Sequence, residues 1–194
     1  LSIIDKLDTL VGFYLINEKP TSSKDPFALR RAAIGLLRTI IENNLTIRLR
    51  DLIDYFIRIY LEQGTKQINE YVNNELIKFF RERMKNILKE KRIRPDIIEA
   101  SLSSHLNDNF LELYKKTIVM NKFISKDLGK NALSTYKRAS NILDQEKLNS
   151  KTGPDAVLFK YEEEKELFNK INDIRKAFTL KEDKKNYESH LKLL

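Results

Sequence analysis

A chain of 194 residues is long enough for one ordinary domain or two small ones, and its 41% hydrophobic content permits a real core. The absence of cysteine excludes disulfides, thiolate zinc sites and cysteine nucleophiles and fits a reducing cytoplasm, and no apolar run approaches the roughly 18 residues of a membrane span. A formal charge of +8 and a pI near 9.4 favour an anionic partner, nucleic acid among them; the competing expectation is a soluble surface that happens to be basic.

Helical periodicity dominates the chain and no alternating strand pattern appears, so the expected fold class is all-α. The opening "LSIIDKLDTLVGF" reads as a helix over about 2–16, without the basic start or small-residue cleavage site of a signal peptide. It lacks an initiator methionine, which suggests a piece of something longer. In "KPTSSKDPFALRRAAIG", Lys19 to Gly35, a polar loop then runs into a helix over about 26–43. Asp25 is the expected N-cap and Pro26 the expected first helical residue, where a missing N–H costs nothing. Leu29, Ala33, Leu36, Leu37 and Ile40 share one side, and the wheel sets Arg30 beside Leu37 at its edge. A partly buried Arg30, paired with Asp5 or Asp8, would clamp the loop and the first helix.

Further helices are expected at about 47–63, 66–92, 95–105, 108–125, 128–146, 155–177 and 181–193. The "QGT" at Gln63 is the best candidate boundary between domains. The "LNSKTGPD" before Ala156 is turn chemistry leading into another capped helix, and the acidic "EEEKE" from Glu162 suits a solvated helix start.

The strongest chemical signal lies in "KFFRERMKNILKEKRIRPD". Lys78, Arg81, Lys85, Lys89 and Arg92 fall into one stripe roughly 80° wide, while Phe80, Met84, Ile87 and Leu88 should be core. A row of cations about 20 Å long can track a phosphate backbone, although Glu82 and Glu90 dilute it. In "NALSTYKRASNIL", Ala132, Tyr136, Ala139 and Leu143 form an expected apolar stripe. Lys137, Arg138 and Asn141 lie opposite with Ser134, and Arg and Asn side chains can address nucleotide edges in RNA loops. Catalytic groupings are nearly absent. His105 and His190 stand alone, and there is no P-loop, GxGxxG or nucleophile elbow. No catalytic or metal-binding residue is expected in this chain.

Four stretches taken in order resemble the β subunit of the heterotetrameric bacterial glycyl-tRNA synthetase: "DKLDTLVGF" at Asp5, "KPTSSKDPFALRRAAIG" at Lys19, "RERMKNILKEKRIRPDIIEA" at Arg81 and "YKRASNIL" at Tyr136. The likeness is firm over about 5–145. It departs at Ser22, where the family usually has Gly, and at Arg92–Ile93, where it usually has Gly-Tyr. Loss of that glycine removes a natural terminator, so the helix is expected to run straight to Pro95. The resemblance implies a C-terminal fragment of two all-helical modules. Residues 1–63 would be the tail of an HD-like domain, with Asp5 at its last metal-ligand position and the other ligands outside this chain. Residues 64–194 would be an anticodon-binding domain of the DALR type, truncated at its end.

By the same resemblance, the chain would bind glycine tRNA in the cytoplasm and partner the α subunit and the remainder of β. Adenylate formation, with ATP and Mg²⁺, would belong to the α subunit, and no cofactor would sit in this chain. Arg138 and Asn141 would donate to cytosine O2 and N3 of the anticodon; Tyr136, placed nearer the core by the wheel, is the weaker candidate for stacking. The competing expectation is a protein-interaction scaffold that docks the α subunit or other β domains.

Overall fold

A computed structural model describes residues 2–21, 23–64, 71–103, 108–146 and 153–180. The helix expected at 181–193, the start of the one expected at 66–92, both histidines and Ser22 lie outside these residues. Among the described residues every regular element is helical. The α-helices are α1 (Ser2–Leu15), α2 (Leu29–Glu42), α3 (Leu49–Glu62), α4 (Val72–Glu90), α5 (Pro95–Leu102), α6 (Phe110–Ile124), α7 (Asp127–Glu146) and α8 (Glu162–Leu180), with a 3-10 turn at Ala156–Leu158. They fall into two compact units, Leu1–Ile118 and Val119–Leu194, the division passing through α6.

Each helix of the first unit buries the side that its apolar spacing defines. α1 contributes Leu7, Leu10, Val11 and Tyr14, and α2 contributes Leu29, Ala33, Leu36, Leu37 and Ile40. α4 is the hub: it packs on α1, α2, α3 and α5, and buries Val72, Leu76, Ile77, Phe80, Met84, Ile87 and Leu88. Phe80 meets Phe110 of α6 with ring centroids 5.9 Å apart. α1 and α3 approach so closely at Gly12 that an added Cβ would stand 2.7 Å from the Tyr60 hydroxyl. That hydroxyl donates to Asp8 Oδ1 at 3.0 Å. On the two sides of the break at Gln63, α1, α2 and α3 all share their core with α4, within one compact unit.

Four of these helices end with a residue in the left-handed region: Asn17, Asn44, Gly64 and Arg92. At α1, α2 and α4 the next amide returns to a carbonyl five residues back, as in Glu18 to Phe13, Leu45 to Ile40 and Ile93 to Leu88. This is the Schellman closure, which satisfies the last carbonyls of a helix. Glycine adopts it freely and asparagine with little cost, whereas an arginine at φ 57° is strained. The expectation that α4 runs to Pro95 is thus overturned. Apolar Ile93, only 7% exposed, seals the corner, and the closing main-chain bonds outweigh the strain at Arg92.

The start of α2 also differs from expectation. Asp25 does cap it, accepting from the amides of Leu29 at 2.8 Å and Arg30 at 3.1 Å. Pro26 is not the first helical residue, because Ala28 at φ 54° interposes a turn between the two. The stretch expected as one helix over 155–177 is likewise split. Asp155 Oδ1 accepts from Val157 N–H and closes the 3-10 turn, while Glu164 reaches back to the amides of Lys160 and Tyr161 and starts α8 afresh.

In the second unit α6 turns into α7 at Gly129, where a Cβ would collide with the Phe123 carbonyl. No large apolar side chain is buried among the described residues of this unit. Of the expected apolar stripe, Tyr136 is 70% and Leu143 54% exposed, Ala139 is exposed with them, and Ala132 is half-buried. Val157, Leu158, Tyr161 and Leu167 are exposed as well.

Candidate nucleic-acid interface

The cations of α4 have distinct fates. Lys78 and Lys89 are exposed, and among the described residues neither lies in an ion pair. Arg81 is half-buried and donates from Nη1 to the Leu102 carbonyl at 3.3 Å. Burial, and then the positive charge of Arg50, push its pKa below the usual arginine range. Lys85 is ion-paired with Glu99 of α5 and is only 27% exposed, and that hydrogen bond raises its pKa. Arg92 is exposed but off the helix, because the chain has already turned. The stripe on the structure therefore ends at Lys89, and α5 lays a carboxylate against its middle.

Lys78, Arg81 and Lys85 share one cleft of ≈ 570 Å³, whose lining also includes Arg50 of α3 and Asn74 of α4. Arg50 was not legible as a site residue. It precedes α4 by more than twenty positions, and nothing in the local pattern says that α3 lies beside α4. Its Nη1 donates to Asn73 Oδ1 at 3.2 Å and to Asn74 Oδ1 at 2.8 Å, while Asn73 also bonds Asp54 and the Arg50 carbonyl. Across α4, Arg83 faces away from this cluster, its guanidinium 4.9 Å from the Phe79 ring that in turn lies 5.6 Å from Tyr14.

Arg30 is half-buried, and its Nη2 donates to the Thr21 carbonyl in the loop before α2. It has no ion pair with Asp5 or Asp8 among the described residues. Asp5 is exposed, and Asp8 takes the Tyr60 hydroxyl instead. Across that loop Lys19 pairs with Glu75 of α4 at 2.7 Å, tying it to the hub helix. In the second unit Lys137, Arg138 and Asn141 are exposed on α7, and so is Tyr136 beside them. No group of three or more His, Cys, Asp or Glu is arranged to hold a metal among the described residues, and none of their helices is long and apolar enough to cross a membrane.

A family model described as "Glycyl-tRNA synthetase beta subunit" matches residues 1–103. The chain belongs to that family. It is 38% identical over 194 residues, 100% of its own length, to a "Glycine--tRNA ligase beta subunit" of Rickettsia africae (strain ESF-5). It is 42% identical over 146 residues, 75% of its length, to a protein of the same description from Cereibacter sphaeroides (strain ATCC 17029 / ATH 2.4.9). A third relative, from Ruegeria sp. (strain TM1040), is 37% identical over 145 residues. The chain spans 27% of the Rickettsia protein and 21% of the Cereibacter one.

Proposed function

We propose that this chain is a tRNA-holding part of glycine–tRNA ligase, acting in the cytoplasm beside an α subunit that carries out aminoacylation with ATP and Mg²⁺. Likeness to β subunits along its whole length is the observation that carries this reading. Exposed Lys78 and Lys89, with the cations of the cleft, hold the sugar–phosphate backbone and set register without reading sequence. Lys137, Arg138 and Asn141 address the anticodon region, where cytosine O2 and N3 need donors. An exposed Tyr136 ring is available to stack on an unpaired base. In descent, residues 1–63 are the end of an HD-like domain and 64–194 an anticodon-binding domain, although the first three helices and α4 share a core.

The deciding experiment is crosslinking of the chain to glycine tRNA, with the adducts mapped to peptides. Adducts on α4 and α7 are expected; their absence from both helices overturns the proposal. Because Lys85 already has a carboxylate partner, the sharper variant is Lys78→Ala with Lys89→Ala. Each lost phosphate contact lowers the salt slope of binding, by about 0.7 where the contact is to a single strand.

A second reading is favoured by one observation, the exposed apolar residues of the second unit. In that reading α7 and α8 dock the α subunit or other parts of β. Ile142→Ser with Leu143→Ser would then abolish co-purification with the α subunit and leave tRNA affinity intact.

A further inference from the structure

We infer that the cleft bounded by α3, α4 and α5 seats one phosphodiester group of an unpaired RNA segment, with Arg50 and Lys78 as its cationic walls. The inference deepens the proposed RNA-binding role and rests on it. A ridge of cations on a rod suits the convex backbone of a duplex. A concavity of ≈ 570 Å³ instead has the size of a small-ligand site, room for a phosphate with its ribose, and only a strand whose nucleotides are splayed can place one there.

Charge favours the Arg50 end of the cleft. Arg50 is held by two neutral acceptors, the side-chain carbonyls of Asn73 and Asn74, so its orientation is fixed while its charge is not neutralised. Among the described residues no carboxylate lies within ion-pair distance of Arg50 or Lys78. At the other end Glu99 is committed to Lys85, about 10 Å from Lys78 by the helical rise, and Glu82 lies between them. A phosphate seated between Arg50 and Lys78 would also relieve the repulsion that Arg50 exerts on half-buried Arg81. Half-buried Leu102 adds to the lining apolar surface that a ribose or base face can cover.

The test is binding of glycine tRNA and of 5′-phosphorylated tri-uridine across a salt series, with thermal melting recorded for every variant. Arg50→Gln keeps a donor for Asn73 and Asn74, and Lys78→Gln alters a side chain that lies in no ion pair among the described residues. Each is expected to weaken trinucleotide binding on the order of ten-fold and to lower the salt slope by about 0.7. Arg31→Gln, on an exposed position of α2, should change neither. Normal melting with unaltered binding in Arg50→Gln and Lys78→Gln overturns the seat and leaves the wider tRNA reading standing. A trinucleotide bound through Arg50 by a chain that ignores tRNA supports the seat and removes the tRNA role. Failure of the unmodified chain to bind either probe overturns both.

Discussion

Helices α2 and α7 carry apolar residues at the same helical spacing, yet they meet opposite fates. α2 buries Leu36 and Leu37 completely, whereas α7 leaves Tyr136 70% and Leu143 54% exposed. α2 has partners, lying against both α1 and α4, and the first unit closes its core around them. Spacing identifies the face on which a helix is ready to be covered; it does not say that a neighbour within the same chain covers it. The second unit thus keeps as surface what the first converts into stability.

The contrast can be broken most directly by truncating one apolar side chain in each unit. Phe80→Ala, at a residue with no exposed surface, is expected to cost about 3–5 kcal/mol, and Leu143→Ala less than about 0.5 kcal/mol, both by chemical denaturation. Similar losses would show that the two units do not differ in this way. Next in size is Gly129→Ala. A methyl group there strikes backbone, so the corner between α6 and α7 must open, at an expected cost of about 1–3 kcal/mol read as lost helicity and early melting. Unchanged melting would mean that the second unit has slack even at its tightest point.

Smaller effects sharpen the account of the first unit. Arg30→Met removes the bond to the Thr21 carbonyl and should lower stability by about 1 kcal/mol, against less than 0.5 kcal/mol for exposed Arg31→Met. Equal thermal midpoints would remove the clamp. Last, Arg92→Gly relieves a left-handed arginine and is expected to raise stability by about 1 kcal/mol; a loss would mean that the side chain makes a contact outweighing its strain.

Much of the first unit was legible because local pattern and final packing agree. The five residues read as the inner face of α2 are the five that are buried, and Phe80, Met84, Ile87 and Leu88 fall where the wheel puts them. What escaped depended on contacts across the chain or on backbone geometry. Glu99 neutralises Lys85 only because the corner at Arg92 folds α5 back, and the family likeness had itself suggested that losing a glycine would straighten that corner. Arg50 was invisible for the converse reason, being an ordinary polar residue on α3 until α4 lies beside it. For Tyr136, periodicity named a face and could not name its environment.

The hinge between α4 and α5 is made of main-chain atoms, with Arg92 N–H on the Lys89 carbonyl and Ile93 N–H on that of Leu88. The side chain at position 92 thus sets how much strain the bend carries, while the bonds that close it come from the main chain. Electrical character and geometry are uncoupled at this bend, so descendants of the sequence are free to gain or shed a positive charge there while Glu99 and Leu102 stay put.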